Sequence, residues 1–306
     1  MICAVSTDAP GLPPLYLNGR YALLTAFLAA GLGYLWRWFA LERAAGGSPK
    51  PRPADVLVGF GTNFFDTLGI GCFAPTTAIF KMQHRMADED IPGTLNVGDA
   101  LPTVVEALVF VAIVTVDLTT LIAMIVAAVV GAWLGAGMVA RAPRRFIQLG
   151  MGVALLVAAA LMLAKNLAWL PPGGEALGLH GPTLVFAVCA NCLLGALMML
   201  GVGLYAPCLI LVSLLGMSPL VAFPIMMGSC ALLMPVGGTR FVRTRRYHPG
   251  AALGLTLGGV PGVLCAAFIV RSLPVGWLRW LVVVVVMYAA ALMLASARRA
   301  SRERCG

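Results

Sequence analysis

Four uncharged stretches of apolar residues constrain this chain more than any other feature of its sequence. None of them contains Asp, Glu, Lys or Arg, and they cover residues 118–140, 146–164, 247–270 and 280–297. Each is about as long as a helix that crosses a bilayer core of roughly 30 Å. The chain is 60% hydrophobic and only 11% charged, against about 25% charged in water-soluble domains. The sequence therefore predicts an all-α polytopic membrane protein.

A further apolar segment lies near the amino terminus. It runs from Tyr21 to Trp36, is followed by Arg37 and Arg43, and has only Arg20 as a preceding basic residue. This pattern predicts an uncleaved transmembrane helix rather than a signal peptide. A Pro/Gly linker over residues 44–53 then ends that helix.

The formal net charge of +9 is distributed in short basic clusters between the apolar stretches. Such clusters are typical of the positive-inside rule of membrane proteins, so nucleic acid is not an expected partner. The eight cysteines are scattered and mostly apolar in context, and the three histidines, His84, His180 and His248, form no metal-ligand pair. The sequence contains no catalytic motif, and we expect neither an enzyme nor a bound cofactor or metal.

An octapeptide occurs twice in the chain. Leu68-Gly69-Ile70-Gly71-Cys72-Phe73-Ala74-Pro75 is matched, 132 residues later, by Leu200-Gly201-Val202-Gly203-Leu204-Tyr205-Ala206-Pro207. A second match, of residues 158–163 with residues 289–294, has an offset of 131. These matches predict two homologous repeats, as in many transporters. The predicted units are 1–53 (tail, first helix and linker), 54–165 (repeat 1), 166–183 (inter-repeat loop), 184–297 (repeat 2) and 298–306 (basic tail).

The first apolar segment of each repeat is predicted to be broken. Residues 183–215 would form an unbroken helix of about 50 Å, which exceeds the bilayer core. The Gly-x-Gly pairs allow a turn, and Pro75 and Pro207 favour the first position of a new helix. Each repeat then contains a broken helix and three transmembrane helices.

Two topologies are open for the broken segments. If both are re-entrant hairpins, 17 basic residues lie on one side of the membrane and 4 on the other, whereas full crossings give 13 and 8. The positive-inside rule favours the hairpins over full crossings. An odd number of crossings per repeat then predicts inverted repeats, with the two breaks facing each other near the midplane and a cytoplasmic carboxyl terminus.

Several segments together resemble a known family. They are Gly61 to Gly71 (GTNFFDTLGIG), Ala74 to Ala78 (APTTA) and Ile91 to Gly98 (IPGTLNVG), in a duplicated architecture. The chain resembles the TauE/SafE-like sulfite exporter family of bacterial permeases over about residues 54–297. The resemblance implies transport of sulfite, sulfonates or related organic acids across the bacterial cytoplasmic (inner) membrane.

A helix that restarts within the membrane predicts an anion site, because its unpaired N–H groups and dipole attract negative charge without a buried cation. The alternative is that the small residues only permit close helix crossing, and that hydroxyl groups bond to their own helix. The candidate ligands lie in the breaks and at the predicted starts of the next helices: Gly69, Gly71, Cys72, Thr76, Thr77, Thr94, Asn96, Gly201, Gly203, Tyr205, Gly228 and Ser229.

Three acidic residues, Asp66, Asp99 and Glu106, lie within the first repeat without counterparts in the second. Acidic residues at membrane depth are costly, so they suggest a proton relay, although solvated ends of short helices or polar contacts between helices would also explain them. The leading hypothesis is a secondary transporter of a small anion, most simply sulfite or an organosulfonate, coupled to a proton. A carboxylate permease and a non-transporting membrane subunit are the alternatives, and a homodimer is a further expectation.

Overall fold

A computed structural model describes residues 14–46, 49–139, 169, 174–201 and 203–272. These residues form α-helices and, within the described part of the chain, no β-strand beyond an isolated bridge between Ala176 and Met217. The predicted all-α class is therefore confirmed. The helices are α1 (Pro14–Ala44), α2 (Pro53–Thr67), α3 (Phe73–Met82), α4 (Ile91–Gly98), α5 (Ala100–Ile113), α6 (Leu118–Val139), α7 (Gly181–Met198), α8 (Tyr205–Leu214), α9 (Pro219–Thr244) and α10 (Pro249–Ser272).

Five of these helices, α1, α6, α7, α9 and α10, are long and apolar enough to cross a membrane. A sixth span results if the pair formed by Asp88–Gly98 and Ala100–Ile113, bent by 41°, counts as one. The predicted first transmembrane helix is α1, and two of the uncharged stretches are α6 and α10. The stretches at 146–164 and 280–297 and the basic tail lie outside the described residues.

The two halves of the described chain contain the same succession of elements. In the first, α2, a break at residues 68–72 and α3 precede the bent α4–α5 pair and α6. In the second, α7, a break between Met198 and Tyr205 and α8 precede α9 and α10. We call α2 with its break and α3 the first hairpin, and α7 with its break and α8 the second hairpin.

The first hairpin enters and leaves the helix bundle at one end. Arg85, which follows α3, makes a bidentate ion pair with Asp55 at the start of α2, with Nη2–Oδ2 at 2.7 Å and Nε–Oδ1 at 3.0 Å. Its Nη1 atom also lies 3.1 Å from Nε2 of His248, which precedes α10. Nearby, Arg245 after α9 pairs with Glu42 near the end of α1, at 2.5 Å. We call this the basic end.

The second hairpin enters and leaves at the opposite end. Before α7, the amide of Leu179 donates to the hydroxyl of Thr120 in the first turn of α6, at 2.9 Å. Directly upstream, the carbonyl of Ala176 accepts from the amide of Ser218, which follows α8, at 2.9 Å. Arg20 near the start of α1 donates to the carbonyl of Ala112 near the end of α5 at this same end.

Corresponding elements of the two halves consequently run in opposite directions. The α4–α5 pair runs from the basic end to the opposite end, whereas α9 runs from the opposite end to the basic end. The last described helices of the two halves, α6 and α10, show the same relation, since α10 starts at the basic end and α6 ends there. The guanidinium of Arg240, near the end of α9, lies 4.8 Å above the ring of Trp133 on α6.

Each half packs the first helix of its hairpin against the last described helix of the other half. The pairs α2–α10 and α6–α7 form the most extensive helix contacts among the described elements. Glycines allow this approach: a Cβ atom on Gly258 would overlap the carbonyl oxygen of Val56, and one on Gly131 would overlap that of Cys192. Small residues at such contacts let membrane helices pack backbone to backbone.

His248 joins these elements at the basic end and is expected to make the protein acid-sensitive. Its Nδ1 atom accepts the amide N–H of Ala251 at 3.1 Å and so caps α10. Burial, followed by the positive charge of Arg85, lowers the pKa of His248, while Asp55 opposes this and Arg52 adds to it. The unfolded chain, with a histidine pKa of about 6.5, then binds more protons than the folded protein. Stability contributed by neutral His248 is present above that pH and is lost as pH falls below it.

We therefore expect the thermal unfolding midpoint to fall between pH 7.5 and pH 5, and His248→Asn to reduce that fall. Asn keeps a capping acceptor but does not titrate. The exposed His180, which precedes α7, provides a matched His180→Asn control. Melting curves of the purified protein in detergent at both pH values measure the effect, and equal falls in His248→Asn and the native protein would contradict it.

Candidate functional site

Both breaks turn at a glycine in a backbone conformation that other residues avoid. Gly69 has φ of +84° and its counterpart Gly201 has φ of +90°. One detail of the prediction is wrong: α3 begins at Phe73 and α8 at Tyr205, so Pro75 and Pro207 are third, not first, in their helices. Proline is compatible with that position because N–H groups of the first turn have no partner within the helix.

The two breaks lie against each other. A Cβ atom added to Gly71 would lie 3.9 Å from the Cβ of Tyr205, and one added to Gly203 would lie 3.6 Å from the Cβ of Phe73. These contacts are reciprocal, because Gly71 and Phe73 correspond to Gly203 and Tyr205 at the offset of 132 residues. The two copies of the octapeptide therefore form two breaks that are in direct contact.

A small cavity lies where the breaks meet, with room for about one water molecule. Predicted residues line it from the first hairpin (Asp66, Gly71, Cys72) and from the second (Gly203, Tyr205). The remaining lining residues were not predicted, and they are Phe73, Thr103, Met198, Leu204, Cys230 and Met234. An anion of several heavy atoms would fit only after the two hairpins move apart.

The backbone amide at the first break is already bonded to a carboxyl group. The amide N–H of Cys72, directly before α3, donates to Oδ1 of Asp66 at 2.6 Å. A backbone donor that was predicted to bind a substrate anion is therefore bound to a carboxyl group of the chain itself. In the second half, Met198 stands at the position that corresponds to Asp66, so that position offers no carboxyl group.

The other two acids belong to the same buried network. Asp99, between α4 and α5, accepts the side-chain amide of Asn63 at 3.0 Å and the thiol of Cys72 at 3.7 Å. Glu106 on α5 accepts the hydroxyl of Thr67 at 2.9 Å and the hydroxyl of Tyr205 at 2.5 Å. The three predicted acids thus lie together, and the network reaches both hairpins.

No cation balances this cluster within the described part of the chain. Asp66, Asp99 and Glu106 are at most 2% exposed, and none forms an ion pair with a described Lys, Arg or His. Several unpaired carboxylates in such a site would carry a large desolvation cost and repel one another. Protonation of one of the three acids would lower that cost, so the arrangement is chemically suited to take up and release a proton.

Several predicted ligands lie elsewhere. Thr94 is near the basic end, where its hydroxyl donates to the carbonyl of Asp90 at 2.7 Å and accepts the amide of His248 at 2.9 Å. Thr76 donates to the carbonyl of Cys72 within its own helix, at 2.7 Å. Gly69 lies close to Phe223 rather than in the cavity, and Gly201 is likewise not among the lining residues.

The helix start predicted near Gly228 and Ser229 is wrong. The helix α9 begins at Pro219, so both residues lie well inside it. Ser229 accepts the side-chain amide of Asn191 at 3.2 Å, and Gly228 lies against Ile125 and Phe27, so neither lines the cavity. The reason is that α9 continues through Pro224 and Pro235, which membrane helices tolerate when neighbouring groups satisfy the freed carbonyls.

Two predicted polar residues are buried without a complete set of partners. Among the described residues, the hydroxyl of Thr77 and the side-chain oxygen of Asn96 have no hydrogen-bond partner. The amide nitrogen of Asn96 lies 2.8 Å from the carbonyl of Pro92 and 3.5 Å from that of Met198, at the end of α7. Asn96 thus lies near the second break.

The sequence prediction missed Asn63 and Thr67, which hold Asp99 and Glu106. Both residues are fully buried on α2, and Asp66 lies within one turn of each. A signal was present, because residues three and four apart share a helix face and all three are polar in an apolar segment. Within the described chain, no group of His, Cys, Asp and Glu side chains has an arrangement that would hold a metal ion.

A comparison with protein families identifies the chain. The family model described as sulfite exporter TauE/SafE matches residues 9–162, about half of its length. The chain belongs to the TauE/SafE sulfite exporter family. The match begins within the first unit, so it includes α1 as well as the first hairpin and the three acids. The search of curated proteins and the search of solved structures each found no match.

Membership of the TauE/SafE family fixes the general function. Members of this family are membrane transporters of sulfite or related anions, not enzymes. Together with the apolar helices, this makes the chain a multi-pass membrane protein whose partners are a small anion and membrane lipid.

Proposed function

We propose that this TauE/SafE protein moves sulfite or an organosulfonate by alternating access of two inverted repeats. The single observation that carries the proposal is the contact of the two breaks beside three buried acids. Opposed hairpins of this kind allow one repeat to rock against the other around a fixed central site.

Helix lengths support a site near the membrane midplane. The short arms of the hairpins, α3 and α8, have 10 residues each, which corresponds to about 15 Å. An arm of that length, starting at the membrane surface, ends about halfway through a bilayer core of roughly 30 Å. Both breaks would then lie at the same depth, where the substrate site of inverted-repeat transporters is found.

The substrate is proposed to bind at the start of α3 by displacing Asp66. A protonated Asp66 holds the Cys72 amide less strongly than a carboxylate does, because hydrogen bonds to ionised acceptors are the stronger ones. The amide and the positive end of the helix dipole are then free for the substrate anion. Release of the proton restores the Asp66–Cys72 bond and expels the anion, so proton and anion travel together.

The basic end is proposed to face the cytoplasm of a bacterial cell, with the protein in the inner membrane. The described basic residues concentrate there, whereas Arg20 and Arg271, near the end of α10, lie at the opposite end, as the positive-inside rule requires. Those at the basic end are Arg37, Arg43, Lys50, Arg52, Lys81, Arg85, Arg240, Arg243, Arg245 and Arg246. The predicted cytoplasmic carboxyl terminus follows from the same rule.

Counterflow in proteoliposomes tests the substrate. Vesicles preloaded with sulfite, methanesulfonate or acetate are diluted into labelled anion at pH 6 and pH 8. We expect exchange of sulfite and methanesulfonate, faster at pH 6, because the acids must be protonated for the anion to bind. Exchange of acetate alone would favour the carboxylate permease, and no exchange of any anion would favour a non-transporting subunit.

A further inference from the structure

One hydrogen-bonded tie connects the two hairpins through Glu106. Its Oε1 atom accepts the hydroxyl of Thr67, the last residue of α2, at 2.9 Å. Its Oε2 atom accepts the hydroxyl of Tyr205, the first residue of α8, at 2.5 Å. The two oxygens of one buried carboxyl group therefore hold one break of each repeat.

The tyrosine hydroxyl of this tie has no counterpart at the corresponding position of the first repeat. Phe73 corresponds to Tyr205 at the offset of 132 residues and has the same ring without the hydroxyl. Phe73 and Tyr205 are both buried, at 2% and 3% exposure, so the difference is not a matter of solvent contact. A Phe would also fill the space at position 205, and the hydroxyl is thus the specific feature that the second repeat adds.

We infer that Tyr205 is a positioning residue that transmits the protonation state of Glu106 to the second hairpin. An ionised Glu106 can accept from both hydroxyls at once, which holds the breaks together. Once Glu106 is protonated, one oxygen becomes a donor, and the two hydroxyls must reorient or one bond is lost. The two breaks can then separate, and this movement would open the closed cavity to a substrate anion. This inference rests on the proposed function.

Other titratable groups also face Glu106. They are Asp66, Cys72 and Asp99 from the first half, and Tyr205 and Cys230 from the second. The hydroxyls of Thr67 and Tyr205 donate hydrogen bonds to the carboxyl oxygens of Glu106, and such bonds favour an ionised acceptor. Removal of either hydroxyl is therefore expected to make Glu106 protonate at a higher pH.

The test is the pH profile of sulfite counterflow in proteoliposomes. We expect Tyr205→Phe to shift the pH of half-maximal counterflow upward by about one unit, the scale of one hydrogen bond to a charged group. Ser213→Ala is the matched control, because this hydroxyl of α8 donates to Leu209 of its own helix at 2.8 Å. In a Glu106→Gln background, Tyr205→Phe should add no shift, since coupled groups give non-additive effects.

The outcomes separate a switching role from a structural one. An unshifted profile in Tyr205→Phe, or an equal shift in Ser213→Ala, overturns the inference. If Tyr205→Phe does not fold, Thr67→Val must give the upward shift, with Thr62→Val as its control, because Thr62 donates only to Val58 of its own helix at 2.8 Å. An unshifted Thr67→Val overturns the inference as well. Native protein without counterflow at any pH overturns the proposed function and, with it, this inference.

Discussion

Replacing Asp66 with Asn is expected to abolish anion accumulation driven by a pH gradient while leaving counterflow measurable. The Asn side-chain oxygen can still accept the Cys72 amide, which Asp66 accepts at 2.6 Å in the native protein, so the first break keeps its shape. It cannot carry a proton. With one proton moved per anion, a gradient of two pH units supports a concentration ratio of about 100-fold. In Asp66→Asn that ratio should fall to near 1.

Labelled sulfite in proteoliposomes with an imposed pH gradient measures this ratio, and counterflow without a gradient shows that the variant still binds and exchanges its substrate. Asp117→Asn is the matched control. Asp117 lies outside the acid cluster, where its side chain accepts the amide of Thr120 at 2.8 Å and caps α6. Asn is an equally good cap, so the control should accumulate as the native protein does. Unchanged accumulation in Asp66→Asn, Asp99→Asn and Glu106→Gln, each made singly, would rule out proton coupling by this cluster.

Replacing Arg85 with Met is expected to give the largest loss of stability. Arg85 and Asp55 have side chains only 6% and 1% exposed, so the variant leaves a buried carboxylate without its cation. Removing one partner of a buried ion pair costs about 3 kcal/mol or more. The double variant Asp55→Asn/Arg85→Met, which has neither charge, should recover most of that loss, because the penalty lies in the unpaired charge.

Lys81 provides the control for this prediction. It pairs with Asp88 at 3.8 Å, with side chains 32% and 24% exposed, and a pair of that kind contributes less than about 1 kcal/mol. Thermal unfolding midpoints in detergent should therefore fall clearly for Arg85→Met and little for Lys81→Met. Similar midpoints for the two variants would show that the Asp55–Arg85 pair does not hold the first hairpin at the basic end.

Helices were predictable from the sequence wherever a long, uncharged stretch of chain matches the thickness of the bilayer. The uncharged stretches at 118–140 and 247–270 correspond to α6 and α10. The breaks were predictable for the same reason, because residues 183–215 are too long for one span and contain the Gly-x-Gly pair. The re-entrant arrangement was only favoured by a charge count, and it is the Arg85–Asp55 and Ser218–Ala176 contacts that bring the two ends of each hairpin together.

Prediction of individual ligands was less successful, for identifiable reasons. Ser229 was assigned to a helix start, but α9 begins at Pro219 and continues through Pro224. Thr94 was assigned to the anion site from its helix-start position and its hydroxyl group, whereas its partners Asp90 and His248 lie near the basic end. Short motifs indicate which groups are polar, and the approach of distant helices decides what those groups bind.

By itself, the sequence determined that this chain is a helical membrane protein with a duplicated break, because apolar length, glycine and proline act locally on the backbone. Only the tertiary structure decided which groups the two breaks bind. It places a carboxyl group of the chain on the Cys72 amide and joins Tyr205 to Glu106, which is 99 residues away. Such pairs depend on how closely α2, α5 and α8 approach one another, and no local sequence pattern specifies the distances between these helices.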